Sequence, residues 1–129
     1  QSVNRPERGK RHTMVKKSLQ LNDAQFEAFV ASANQHHHRL STLRQQERKH
    51  LQQYFEHLIE DPTTPPDEAL LGVVQDLQRQ KIEVTYHHFQ TIKKMLQPAQ
   101  DVNFERFMRH VLRNVILHDQ KGPPRPKRQ

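Results

Sequence analysis

Ten histidines in 129 residues, with no cysteine, put imidazole chemistry first. Neutral imidazole is a good ligand for zinc, nickel, cobalt and copper. The usual helical chelate places two ligands four residues apart, so that both project from one face. No His-x-x-x-His pair occurs in this chain; the mixed pairs are Glu83/His87 and His57/Asp61. Local spacing alone gives a weak signal. A helical hairpin strengthens it. If the chain turns near residue 63, His37 falls level with Phe89 and His38 with His88. A returning helix would bring His110 level with Val84, one turn from His87 and His88. Consecutive helical residues splay by about 100°, so the run His36-His37-His38 offers one inward ligand. His37 and His88, both on apolar stripes, are the leading candidates, with His38, His87 and His110 around them. The competing reading makes these histidines polar members of a helix interface, hydrogen-bonded to Gln or Glu neighbours.

Catalysis finds less support. There is no thiol nucleophile, no Gly-rich phosphate loop and no serine elbow; Ser18, Ser32 and Ser41 lie in helical or capping contexts. A thin hairpin implies no concave pocket either, and we expect no enzyme.

The elements that would position the histidines are announced by a repeated phrase. Leu21-Asn22-Asp23-Ala24-Gln25 recurs as Leu96-Gln97-Pro98-Ala99-Gln100. Asn22 is a strong N-cap, and Gln25 falls where its amide reaches back in a capping box. Pro98 suits a first helical position, and Gln100 then sits where Gln25 sits. From Asp23 to about Glu60 apolar residues recur at steps of three or four (Phe26, Phe29, Val30, Ala33, Leu40, Leu43, Leu51, Phe55, Leu58), without proline or glycine. Such a helix is roughly 55 Å long. Asp61-Pro62-Thr63-Thr64-Pro65-Pro66 stops it, with Thr64 as expected cap of the next helix and Asp67 and Glu68 favouring its positive end. The second stripe runs from Leu70 to Leu96 and the third from Val102 to Ile116, before Gly122-Pro123-Pro124. The expected fold is all-α: a long antiparallel hairpin, a short N-terminal helix from His12 to Leu21 and a returning C-terminal helix. Residues 1–11 and 119–129 read as disordered basic tails around a helical domain of 12–118.

Mean hydropathy of −1.03 is low for a packed globule. A two-helix hairpin leaves each apolar stripe short of neighbours, and each such side chain is worth roughly 1.5–3 kcal/mol when fully buried. A two-fold homodimer is the expected remedy. The net charge of +7 invites a nucleic-acid reading, but residues 1–20 and 121–129 hold ten Lys/Arg and one Glu, leaving 21–120 slightly negative. Nucleic acid is therefore an unlikely partner; basic tails against a membrane surface remain open. No run approaches the ~20 apolar residues needed to span a bilayer. The chain begins at Gln1, which points to removal of a signal peptide or an N-terminal anchor.

The repeated motif, together with Thr85-Tyr86-His87-His88-Phe89, Ile92, Met95-Leu96 and Phe104, resembles the bacterial periplasmic LTxxQ proteins. These include the Spy and CpxP stress proteins, the zinc-resistance-associated protein and heavy-metal sensors of the nickel–cobalt type. The resemblance covers residues 12–117 and looks most like the sensor branch. It implies a periplasmic, dimeric metal-responsive protein that signals to an envelope partner. Alternatively it implies an ATP-independent chaperone holding unfolded clients on a curved dimer surface. The sensor pattern carries His-x-x-x-His before the first motif, a glutamate in the first long helix and His-x-x-x-Met before the second motif. His12 and His88 match it, whereas Lys16, Ala33 and Ile92 stand where ligands would be.

Overall fold

Residues 5–118 are described by a computed structural model. Among them every regular element is helical: α1 (Arg5–Leu19), α2 (Asp23–Glu60), α3 (Glu68–Met95) and α4 (Asp101–Val111). A 3-10 turn, Pro98–Gln100, leads into α4, and a π turn, Leu112–Ile116, follows it. No described helix is long and apolar enough to cross a membrane. The described residues divide into two compact units, one of residues 5–27 and 95–118, the other of residues 28–94.

In the first unit, α1 starts earlier than the sequence reading placed it, so residues 5–11 are helical rather than tail. Pro6 is tolerated in a first turn, and one glycine costs only about 1 kcal/mol among good helix formers such as Arg, Glu and Lys. The remaining tail residues, 1–4 and 119–129, lie outside the described part. The end of α1 is a Schellman motif. Leu21 N–H donates to Lys16 O at 2.9 Å and Gln20 N–H to Lys17 O at 3.2 Å. Gln20 takes φ 55°, the left-handed conformation glycine usually supplies. Lys16 then pairs with Asp23 at 3.2 Å and lies 5.0 Å over the Phe26 ring. α1 also packs against α4, and Leu19, Leu21, Phe107 and Val111 are buried in this unit.

The two repeated glutamines meet here. Asn22 and Gln25 form the expected reciprocal box: Asn22 N–H donates to Gln25 Oε1 at 3.0 Å and Gln25 N–H to Asn22 Oδ1 at 2.8 Å. Gln97 N–H donates to Gln100 Oε1 at 2.8 Å, which repeats half of that box. The two side-chain amides then bond each other, Gln25 Nε2 to Gln100 Oε1 at 2.9 Å and Gln100 Nε2 to Gln25 Oε1 at 3.1 Å. Their other donor capacity goes to carbonyls left open at helix C-termini. Gln25 reaches Met95 O at 2.9 Å, and Gln100 reaches Leu19 O and Gln20 O, each at 3.0 Å. Two buried amides thus serve the ends of α1 and α3 and the starts of α2 and α4.

The second unit is the antiparallel pairing of α2 with α3. Asp61 closes the connection, accepting from the Thr63 N–H at 3.0 Å and its hydroxyl at 2.7 Å. The N-cap of α3 is Asp67, whose Oδ1 accepts the Leu70 N–H at 3.1 Å; this corrects the expectation of Thr64. A cap must stand three residues before the amide it serves, and α3 begins at Glu68, too far on for Thr64. Phe29 and Leu43 on α2 and Val74, Leu77 and Ile92 on α3 are the buried apolar side chains of this unit. Lys81 and Gln78 both bond Glu47 across the pair. Burial alone would raise the Glu47 pKa, but the hydrogen bonds from Lys81 and Gln78 and the Lys81 charge outweigh it and hold the carboxyl below its ordinary value.

Candidate functional site

α2 and α3 enclose a groove of about 460 Å³, and the imidazoles of His36, His38, His87 and His88 line it. Ser32, Gln35, Arg39 and Thr91 supply its other polar groups, and no carboxylate is among them. The groove follows from helical register. His36 and Ser32 are one turn apart on the α2 face that meets α3, as are His88 and Thr91 or Thr85 along α3.

The inner pair is tightly organised. The rings of His36 and His88 stack at 4.5 Å between centroids with 9° between planes. A hydrogen bond of 2.9 Å joins Ser32 Oγ and His88 Nδ1, and another of 2.9 Å joins Thr85 Oγ1 and His36 Nε2. Phe29 and Phe89 lie 6.3 and 5.4 Å from the His88 ring. Burial, then the charges of Arg44 and His37, lower the pKa of His36 below its ordinary 6.5. His36 is thus neutral at pH 7, the form that ligates metal. Since Thr85 engages Nε2, Nδ1 is the His36 nitrogen that a ligand would use.

His38 and His87 stand exposed at the rim. His87 Nδ1 lies 3.0 Å from Gln90 Oε1. A carbonyl oxygen only accepts, so Nδ1 is the donor of this bond, and in a neutral ring the lone pair is then on Nε2. A ring nitrogen donating outward while its partner ligates is the usual support for a metal-binding histidine. The donor set therefore fits a borderline transition metal. Its present geometry is that of a stacked interface, however. Among the described residues no three His, Asp or Glu side chains already converge on one point. A bound ion would draw the rings together by side-chain rotation.

The other candidates are placed differently. His37 is exposed and is not part of the groove lining, because it stands about 100° around α2 from each of its neighbours. His88 meets Ser32 and His36 rather than His38, about a turn further towards the start of α2 than the position of the loop implied. Buried apolar side chains, not the distant loop, set the register at this level. His12 and His110 belong to the first unit. His12 is half-buried, its pKa lowered by burial and by Arg8 and Arg11. His110 is exposed, with Nδ1 accepting from Asn114 Nδ2 at 3.1 Å. Lys16 serves Asp23 and Phe26, and Ile92 is fully buried. Neither is a ligand.

Ser32, Thr85, Gln90 and Arg39 join the histidines without having stood out as their partners in the sequence. Ser32 stands four residues before His36, and Thr85 three before His88, a helical spacing that puts each hydroxyl on the same face as a histidine, although each bonds the imidazole of the opposite helix. Arg39 and Gln90 carry no such signal. The chain matches no model of a known protein family, no curated protein and no solved structure.

The histidine pair has a consequence for acid stability. With its pKa lowered in the folded state, His36 takes up a proton more readily when the chain unfolds. Its unfavourable contribution is absent above the unfolded value of about 6.5 and grows as pH falls through it towards the lower folded value. Thermal melts should therefore show a loss of stability between pH 7.5 and 5.5, and His36→Gln should flatten that slope. An unchanged slope in the variant would remove His36 as its source.

Proposed function

We propose that this chain is a non-enzymatic metal-responsive protein of the bacterial periplasm, binding one transition-metal ion in the groove between α2 and α3. The observation that carries the reading is the gathering of His36, His38, His87 and His88 in one groove, with a hydroxyl or amide partner on three of them. Two imidazoles come from each helix, so a shared ion would pin α2 to α3. Helix pinning is a change that an envelope regulatory partner can read. The resemblance of the motif residues and of the segment around His88 to periplasmic metal sensors agrees with this reading, although the ligand set is different. Association as a homodimer fits it as well, since Phe55, Ile59, Ile82 and Tyr86 are 56, 83, 71 and 66% exposed in the helix pair.

Calorimetric titration with zinc, nickel, cobalt and copper tests the proposal. At least one of them should bind one ion per chain with Kd below ~100 µM, about −5.5 kcal/mol. Absence of binding for all four, with helicity intact, would contradict it. A second reading, an ATP-independent chaperone, is favoured by the exposed ridge Leu51, Phe55, Leu58 and Ile59 on one side of α2. On that reading the metal-free chain suppresses aggregation of a reduced client, and Phe55→Ser with Ile59→Ser abolishes the effect.

A further inference from the structure

The two units differ in charge. Residues 28–94 hold eight Lys/Arg against eight Asp/Glu, whereas residues 5–27 and 95–118 hold nine against five. The excess sits on outward helix faces. On α1, Lys10, Met14 and Lys17 are spaced four and three apart, on the side opposite buried Leu19; Arg11 flanks them, and all four are exposed. On α4 and its π turn, Arg106, Arg109 and Arg113 form a second exposed row. Apolar side chains stand among these cations: Met14 is 66% exposed, Val102 59%, Val115 55%, Leu117 46% and Leu112 45%.

We infer that the first unit docks on an anionic lipid surface, with the Lys10–Met14–Lys17 face of α1 as its principal contact. Charge complementarity to phosphate-bearing headgroups supplies the attraction, about fivefold in affinity per basic side chain near the surface. The interspersed aliphatic groups separate this reading from nucleic-acid binding. A lipid interface accepts Met, Val and Leu between cations, where they enter the headgroup boundary. A single-stranded nucleic acid rewards exposed aromatic rings that stack on bases. Among the described residues of this unit there is no Tyr or Trp, and the phenyl rings of Phe26, Phe104 and Phe107 are not exposed. The contact is peripheral and reversible, because no described helix can span the bilayer. The inference is independent of metal binding, which concerns the other unit.

Vesicle co-sedimentation of the full chain tests it. Vesicles containing one third phosphatidylglycerol should bind the chain at 50 mM salt, and pure phosphatidylcholine vesicles should not. Binding should weaken steeply by 300 mM salt. Lys10→Gln with Arg11→Gln and Lys17→Gln should lower affinity about a hundredfold. Met14→Ser alone should lower it several-fold at unchanged charge, an effect that pure electrostatics does not give. All four positions are exposed, and unchanged circular dichroism would confirm that the variants fold. Equal binding to neutral vesicles, wild-type affinity in the triple variant, or binding to a DNA or RNA oligonucleotide without binding to anionic vesicles would each overturn the inference.

Discussion

Replacing Gln100 with alanine should lower the melting temperature by roughly 10–15 °C, corresponding to about 3 kcal/mol. Gln100 is only 8% exposed, and its amide serves Leu19 O, Gln20 O and Gln25, while its oxygen receives the Gln97 N–H. Truncation deletes all of these bonds and leaves buried partners unsatisfied, at about 1–3 kcal/mol for each group that water cannot reach. The same logic applies to Gln25, which bonds Asn22, Met95 and Gln100. Because each amide satisfies the other, the two losses overlap. The double variant Gln25→Ala/Gln100→Ala should cost less than the two singles combined, by about 1 kcal/mol or more. Asn22→Ala, by contrast, should cost only about 1 kcal/mol as the loss of a cap. Thermal or denaturant unfolding of these four variants checks the ordering, and a Gln100→Ala cost below that of Asn22→Ala would contradict it.

The second large effect concerns metal. His36→Ala and His87→Ala should each weaken binding about thirtyfold, near 2 kcal/mol, and the pair about a thousandfold. His36 is neutral at pH 7 and held through Nε2 by Thr85, while His87 is held through Nδ1 by Gln90. Removing such a support also matters: Gln90→Leu should weaken binding about tenfold by freeing the tautomer. His37→Ala is the informative control. Its side chain stands outside the groove, so its loss should change affinity less than twofold. Calorimetric titration of these five variants with the metal that binds wild type most tightly decides the matter. A His37 effect as large as that of His36 would move the site to the other side of α2.

Much of the fold was legible because helix signals are local. The Asn22–Gln25 box, the proline-bounded turn and the stripes of α2 and α3 each depend on neighbours within a few residues. Thr64 was a near miss of the same kind, since Asp67 competes for the same role and wins by position. The start of α1 was missed because Pro6 and Gly9 outweighed the strong helix formers around them. What could not be read was the meeting of Gln25 with Gln100, 75 residues apart, although the repeat itself was plain. Repetition reports two similar helix starts; it does not report that they touch. The groove failed for a related reason. Counted from the loop, His38 falls level with His88, whereas the paired helices bring Ser32 and His36 to it, about a turn nearer the start of α2. The groove lining holds His36, His38, His87 and His88, while His37, favoured for its place on the apolar stripe, is not among them.

The four histidines of the groove are proposed to act together on one ion. Nitrogen-15 NMR of the imidazoles during zinc titration tests it most directly, because each of the ten rings reports its own state. Signals of His36, His38, His87 and His88 should shift together and saturate at one zinc per chain, with His37, His12 and His110 unchanged. Shifts spread evenly over all ten rings, or confined to residues outside the groove, would contradict it.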